Sequence, residues 1–229
     1  MKYRLPIHCW RLPAVGLLLA TLCACSTLRP AVTPPPAFYS LDAAIAPGTS
    51  VNAKPATVAL GAPTLIINPP HAAAGFDSQR IIYVREAQKL EYFAHSEWVD
   101  PPARMLAPLI VAAAVKTAAF NAVVTTPGAA AGDLRLDTEI VRLLQRFGSG
   151  PSEVRFTLRA TLVDERTRRV LAAREFDMTL AAESEDPYGG VVAASRVVHE
   201  VLAQLAVFCA DAALTWRQAT DKPAAASRR

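Results

Sequence analysis

Residues that carry chemistry are scarce in this chain of 229 residues, which has only four cysteines and four histidines. Cys23 and Cys25 stand near the start, and beyond them only Cys209 remains, which excludes a disulfide framework. Cys209 lies in a strongly apolar segment and reads as a small core residue. Of the histidines, His8 is close to the N-terminus, while His71, His95 and His199 are too far apart for a local metal-ligand motif. His199-Glu200 is followed by Val201, Leu202 and Ala203, so the zinc-binding HExxH pattern is not completed. There is no GxSxG nucleophile elbow and no GxxxxGK[ST] phosphate loop. These absences leave a hydrolase built on His71, His95 or His199 only as a spatially assembled site. Acidic residues are also missing from the opening, the first being Asp42.

What the opening does contain is basic and apolar. Lys2, Arg4 and Arg11 precede an apolar run from Leu12 to Leu22, the pattern of a secretory signal. That run is short of the ~20 apolar residues that cross a bilayer. The stretch Leu22-Cys23-Ala24-Cys25 resembles the lipobox of bacterial lipoproteins, which implies cleavage between Ala24 and Cys25 and lipidation of Cys25. Cys23 fits the modified position poorly, because the bulky Leu22 would precede it. One acyl chain holds a protein to a membrane only marginally, so durable anchoring needs several. The next residue is Ser26 and not the Asp that often retains lipoproteins at the inner membrane, so the expected location is the outer membrane, facing the periplasm. The formal charge of +4 also changes with processing. Removing three of the 24 basic residues leaves 21 against 20 acidic ones, a near balance that removes the charge argument for nucleic acid.

The expected organisation is a signal peptide over 1–24, the lipidated cysteine with a Pro-rich tether over 25–37, one domain over 38–218, and a polar, disordered tail over 219–229. The tether "STLRPAVTPPP" favours extended polyproline geometry at ~3.1 Å per residue. In the domain, "FYSL" (38–41) reads as a first strand and 57–70 as a second, stopped by Pro69 and Pro70. Segments 80–85 and 89–98 read as a hairpin. Asp100-Pro101-Pro102 predicts a helix start with Asp100 as the cap, and the helix is expected over 103–124 with Met105, Leu109, Ala113 and Phe120 on its inner face. Pro108 should kink it or loosen a turn.

In 153–164, Val154, Phe156, Leu158, Ala160 and Leu162 alternate with polar residues, as in a strand with one buried and one wet face. The pattern repeats from Val170 to Leu180, interrupted by Arg174, and 133–147 reads as a neighbouring strand. A last helix over 188–218 carries Val191, Ala194, Val198, Leu202, Leu205, Phe208 and Ala212 in one stripe. The fold class that follows is α+β: a single domain with a mixed, largely antiparallel sheet and two main helices packed on one side. "GSGPS" (148–152) reads as a connector or a binding loop, and Gly189-Gly190 as a turn or a helix start that cradles an anion. Tyr39, Tyr92, Phe93 and Trp98 would fill the core beside a sheet edge or line a groove.

A lipobox, a Pro-rich spacer and "FYSLD" together resemble the opening of the ABC-type transport auxiliary lipoproteins, a family that includes the paraquat-inducible C lipoprotein. The stretch "DSQRIIYVREAQKLEYFAHSEWVDPPARML" is similar to the family's most recognisable part, through Arg80, Tyr83, Tyr92, Phe93, Trp98, Pro101, Pro102 and Leu106. The resemblance covers Tyr39 to Trp216, and Pro108 departs from it. It implies a non-catalytic adaptor without cofactor or metal. The implied partners are a mammalian-cell-entry type periplasmic protein and its ABC permease and ATPase, which move lipids or other hydrophobic molecules between the two membranes. The alternative is direct lipid carriage in a cavity lined by 83–98 and the Ala-rich helix. A homo-oligomeric ring is a further expectation, with Tyr39, Leu41 and Trp98 as candidate partner contacts on edge-strand grounds.

Overall fold

The computed structural model describes residues 35–41, 61–128 and 131–226. The expected signal peptide, the Ala24–Cys25 cleavage site, most of the tether and the start of the second predicted strand lie outside them. Three long strands organise the rest: β7 (Leu134–Arg146), β8 (Glu153–Asp164) and β9 (Val170–Ala181). They pair antiparallel in the order β7-β8-β9, with Leu158 opposite Ile140 on one side and Phe176 on the other. The alternation read from the sequence is the alternation of burial: Phe156, Leu158, Ala160 and Leu162 are fully buried, while Glu153, Arg155 and Arg159 point to the wet face.

The second edge of β7 is shared by three short strands in succession. β2 (Thr64–Ile67), β3 (His71–Ala72) and β4 (Arg80–Val84) each lie parallel to it. β4 continues into an antiparallel hairpin with β5 (Glu91–Trp98), as the sequence predicts, and β1 (Ala37–Tyr39) adds parallel to β5. β6 (Ala122–Thr125) flanks β2. The nine strands therefore make one mixed sheet whose long ladders are antiparallel and whose short ones are mostly parallel.

Among the described residues, two helices cover one face. α1 (Pro102–Lys116) packs near β3 and β6, and α2 (Pro187–Ala226) lies over β8 and β9 and touches α1. The stripe predicted for α2 is its buried face from Val191 to Leu205: Val191, Ala194, Val198, Leu202 and Leu205 are all below a tenth exposed. Phe208 and Ala212 are only partly buried, and the face passes to Cys209 and Ala213. Cys209 belongs to that face, and burial pushes its thiol up to about 12, as expected of a core residue. α2 continues past the predicted end at 218 to Ala226, through a segment rich in the helix former Ala that the sequence reading assigned to a disordered tail.

The first predicted helix needs three corrections. It ends at Lys116, not near 124: the Thr117 hydroxyl donates to the Ala114 carbonyl at 2.7 Å, and Ala118 turns the chain at φ 51°. The β-branched Val123, Val124 and Thr125 then join the sheet as β6, where branched side chains suit a pleated surface. The inner face is Ala103, Leu106, Ile110 and Ala114, with Met105, Leu109 and Ala113 only partly buried. Asp100 does not cap: Pro101 occupies the cap position without a side-chain hydrogen bond, and the Asp100 carboxylate pairs with Arg104 one turn later at 3.2 Å.

Candidate functional site

Of the predicted contact residues, only part of β1 offers a surface. Leu41 is fully buried and Trp98 is 3% exposed, so both side chains are core and the contact role read for them is corrected. The reason is that β1 is already seated on β5, with Tyr39 opposite Trp98 and the Val99 amide donating to the Tyr39 carbonyl at 2.8 Å. Tyr39 is half-buried, and the neighbouring Phe38 is 58% exposed beside the outer edge of β1, which pairs with no second strand among the described residues. The aromatics of the hairpin divide: Tyr92 stacks under the Arg80 guanidinium at 4.7 Å, whereas Phe93 packs on Tyr83 with ring centroids 4.5 Å apart.

His71, His95 and His199 sit exposed on β3, β5 and α2 respectively. No group of three metal-ligating side chains is found among the described residues. The two glycine-containing segments prove to be parts of one packed corner. Gln145 Nε2 donates to the Ser152 hydroxyl at 2.9 Å, the Ser152 amide donates to Glu185 at 2.7 Å, and the Ala182 amide donates to the Ser152 carbonyl at 2.8 Å. "GSGPS" is thus a connector clamped to the start of α2. The helix N-terminus is filled by the chain's own carboxylate: the Gly189 amide donates to Asp186 Oδ1 at 2.7 Å, which with the Ser184 hydroxyl holds that carboxyl below its usual range.

The wet face of the long strands carries a lattice of opposite charges. Arg155 grips Asp177 through Nε at 2.9 Å, Arg159 bridges Glu139 at 2.8 Å and Glu175 at 3.1 Å, and Arg146 pairs with Glu153. Arg155, helped by the Thr157 hydroxyl, lowers Asp177 to about 2. These charges satisfy one another across strands, which suits a solvated surface.

Two grooves lie at the helical side. The larger, about 730 Å³, runs between the start of β9 and the last turns of α2. Val170, Ala172 and Arg174 form one wall and Val207, Phe208 and Trp216 the other. Trp216 is fixed there because its Nε1 donates to Asp164 Oδ2 at 2.8 Å. Burial opposes the charge of Asp164, but this bond and the Thr167 amide at 2.7 Å keep its carboxyl below the usual range. Arg166 and Arg169 stand on the β8–β9 turn at the rim, and Arg174 lies over the Phe176 ring at 4.8 Å. Sequence reasoning missed this groove, although Arg174 broke the alternation at an inward position and so marked it. The smaller groove, about 480 Å³, is lined by Ile67, Pro69, Ala107, Pro108, Val111 and Thr125.

A mixed sheet covered by helices on one face defines a domain of α+β architecture. The family described as ABC-type transport auxiliary lipoprotein component matches residues 39–206, and the chain belongs to it. It is thereby a membrane-anchored lipoprotein of the kind that serves an ABC-type transporter. Among solved structures it is similar to protein XCC0632 from Xanthomonas campestris, with a TM-score of 0.64 and 22% identity over 69% of this chain and 89% of that one. A second similar structure, an uncharacterized protein, has a TM-score of 0.58 and 12% identity over 77% of this chain and 99% of that one. At these identities the likeness shows the fold. No curated protein matches the chain.

Proposed function

We propose that this protein is a non-catalytic adaptor, anchored to the outer membrane through lipidated Cys25, that docks the periplasmic substrate-binding component of an ABC lipid-transport system. The observation that carries the reading is the family match over 39–206, which runs from the end of β1 through the whole sheet and into the middle of α2. Cys25 followed by Ser26 supports outer-membrane placement, and the near-neutral balance after processing suits protein docking over nucleic-acid binding. The partner is a mammalian-cell-entry type protein together with its permease and ATPase, and the cargo is lipid or another hydrophobic molecule.

Direct lipid carriage is the second reading, and the groove volumes favour keeping it. Both fall in the range of about 300–1,000 Å³ of small-molecule sites. The smaller groove uses the Ala-rich helix as that reading expects, but its lining includes none of residues 83–98. One experiment separates the two: capture of the tagged mature protein from detergent-solubilised membranes, with mass spectrometry of co-purified proteins and lipids. A mammalian-cell-entry protein and its permease, with little lipid, supports the adaptor. Stoichiometric lipid without those partners supports the carrier.

A further inference from the structure

The groove between β9 and α2 is apolar inside and basic along its strand side. Arg169 and Arg174 are exposed and take part in no ion pair among the described residues, and Arg166 lies beside them. The acidic residues in the lining are Asp164, committed to Trp216 and Thr167, and Asp211 on the opposite, helical wall. Along α2 the lining residues recur as 207–208, 211–212, 215–216 and 219–220, one stripe repeating every four residues. Such a stripe offers about 20 Å of helix at 1.5 Å per residue. On the other wall β9 contributes only its first residues, where the register shifts between Leu162 and Val163 so that Leu171 bulges. A bulge at a sheet edge obstructs addition of another strand.

We infer that this groove docks an amphipathic helix of a partner protein, with an apolar row laid along α2 and a row of Glu or Asp facing Arg166, Arg169 and Arg174. The geometry is that of helix-in-groove recognition, read by anchors spaced three and four apart. Charge argues against a second copy of this chain as the occupant. α1 contains no acidic residue, and the acidic residues of α2 within the lining amount to Asp211 alone. Over its whole length α2 carries only Glu200, Asp211 and Asp221, too far apart to make an acidic row facing the three arginines. The inference stands on the groove and does not depend on which transporter the protein serves.

The test uses the full mature chain and two labelled synthetic peptides of 18 residues, each helical with a Leu/Ala face, one flanked by Glu and the other by Lys. Fluorescence anisotropy gives affinity, and hydrogen exchange gives location. The expected result is that the Glu peptide binds at least about tenfold tighter than the Lys peptide. It should slow exchange over 166–174 and 207–220. The Arg169→Glu/Arg174→Glu variant should reverse the preference. Both positions are exposed, so near-UV circular dichroism should show the fold retained. Equal affinities, protection elsewhere, or a preference unmoved by the double variant overturns the inference. Phosphatidylglycerol vesicles provide the remaining arm: if they bind through the same arginines and the Glu peptide does not bind, the groove belongs to anionic lipid and the helix assignment fails.

Discussion

At Gly190 one added carbon would meet a buried side chain. A Cβ there would collide with Gln145 Oε1, and Gln145 is 2% exposed with its amide nitrogen held by Ser152, so its retreat is restricted. Overpacking of this kind costs about 1–3 kcal/mol. Replacing a helical glycine by alanine returns up to about 1 kcal/mol. Gly190→Ala should therefore lower stability by about 1 kcal/mol in urea unfolding. Gly150→Ala, where a Cβ meets nothing within 4 Å, should be close to neutral. Equal midpoints for the two variants would show that the corner relaxes freely. At the same scale, Asp177 sets an acid-side dependence. Arg155 holds its carboxyl at about 2, below the ~3.9 of an unfolded chain. Its contribution is present above pH ~4 and is lost as pH falls through about 2. The pair is more than one-third exposed, so solvent screening keeps the contribution below about 1 kcal/mol. The stability gap between the native chain and Asp177→Asn should shrink as pH falls from 5 to 2, and a gap independent of pH would count against the pairing.

Among the elements, legibility followed the strength of the periodic signal. The strict alternation in 153–164 reported both the strand and its buried face, because every second residue is either large and apolar or polar. The α2 stripe was equally plain. In 103–124 the many alanines gave no such contrast, so the inner face was placed one position off and the end of the helix was overrun. The signal that could have corrected the end was the run Val123-Val124-Thr125, whose branched side chains favour a strand. The site was harder to read than the fold, since the groove joins residues 166–174 with 207–220 and only Arg174 betrayed it locally. Pro108 is the other irregularity of α1: it lies inside the helix, cannot donate to the Arg104 carbonyl, and lines the smaller groove. An interior proline costs a helix about 3 kcal/mol. Part of this returns through its restriction of the unfolded chain. Pro108→Ala should raise stability by about 1–2 kcal/mol. A loss instead would mean that the proline ring fills space the helix needs.

For the whole molecule, the family match and the candidate lipobox occupy separate parts of the chain. The family match begins at residue 39, so changes at Cys25 and Ser26 lie outside the matched residues and should leave the sheet and helices intact. That separation makes location testable without disturbing the fold. If Cys25 is the lipidated residue, Cys25→Ser should move the protein from the membrane pellet to the soluble periplasmic fraction, with native circular dichroism retained. If Ser26 directs export to the outer membrane, Ser26→Asp should leave the protein lipidated and shift it to inner-membrane fractions on a sucrose gradient. The two variants read different steps, anchoring and sorting. A Cys25→Ser protein that still sediments with membranes would locate the anchor elsewhere. A Ser26→Asp protein that stays in the outer membrane would separate sorting from that residue while leaving the anchor at Cys25 in place. On the proposed adaptor reading the protein is held at one of two membranes, so loss of partner capture on Ser26→Asp, with binding retained in detergent, would tie the domain's function to the outer membrane and not to its grooves alone.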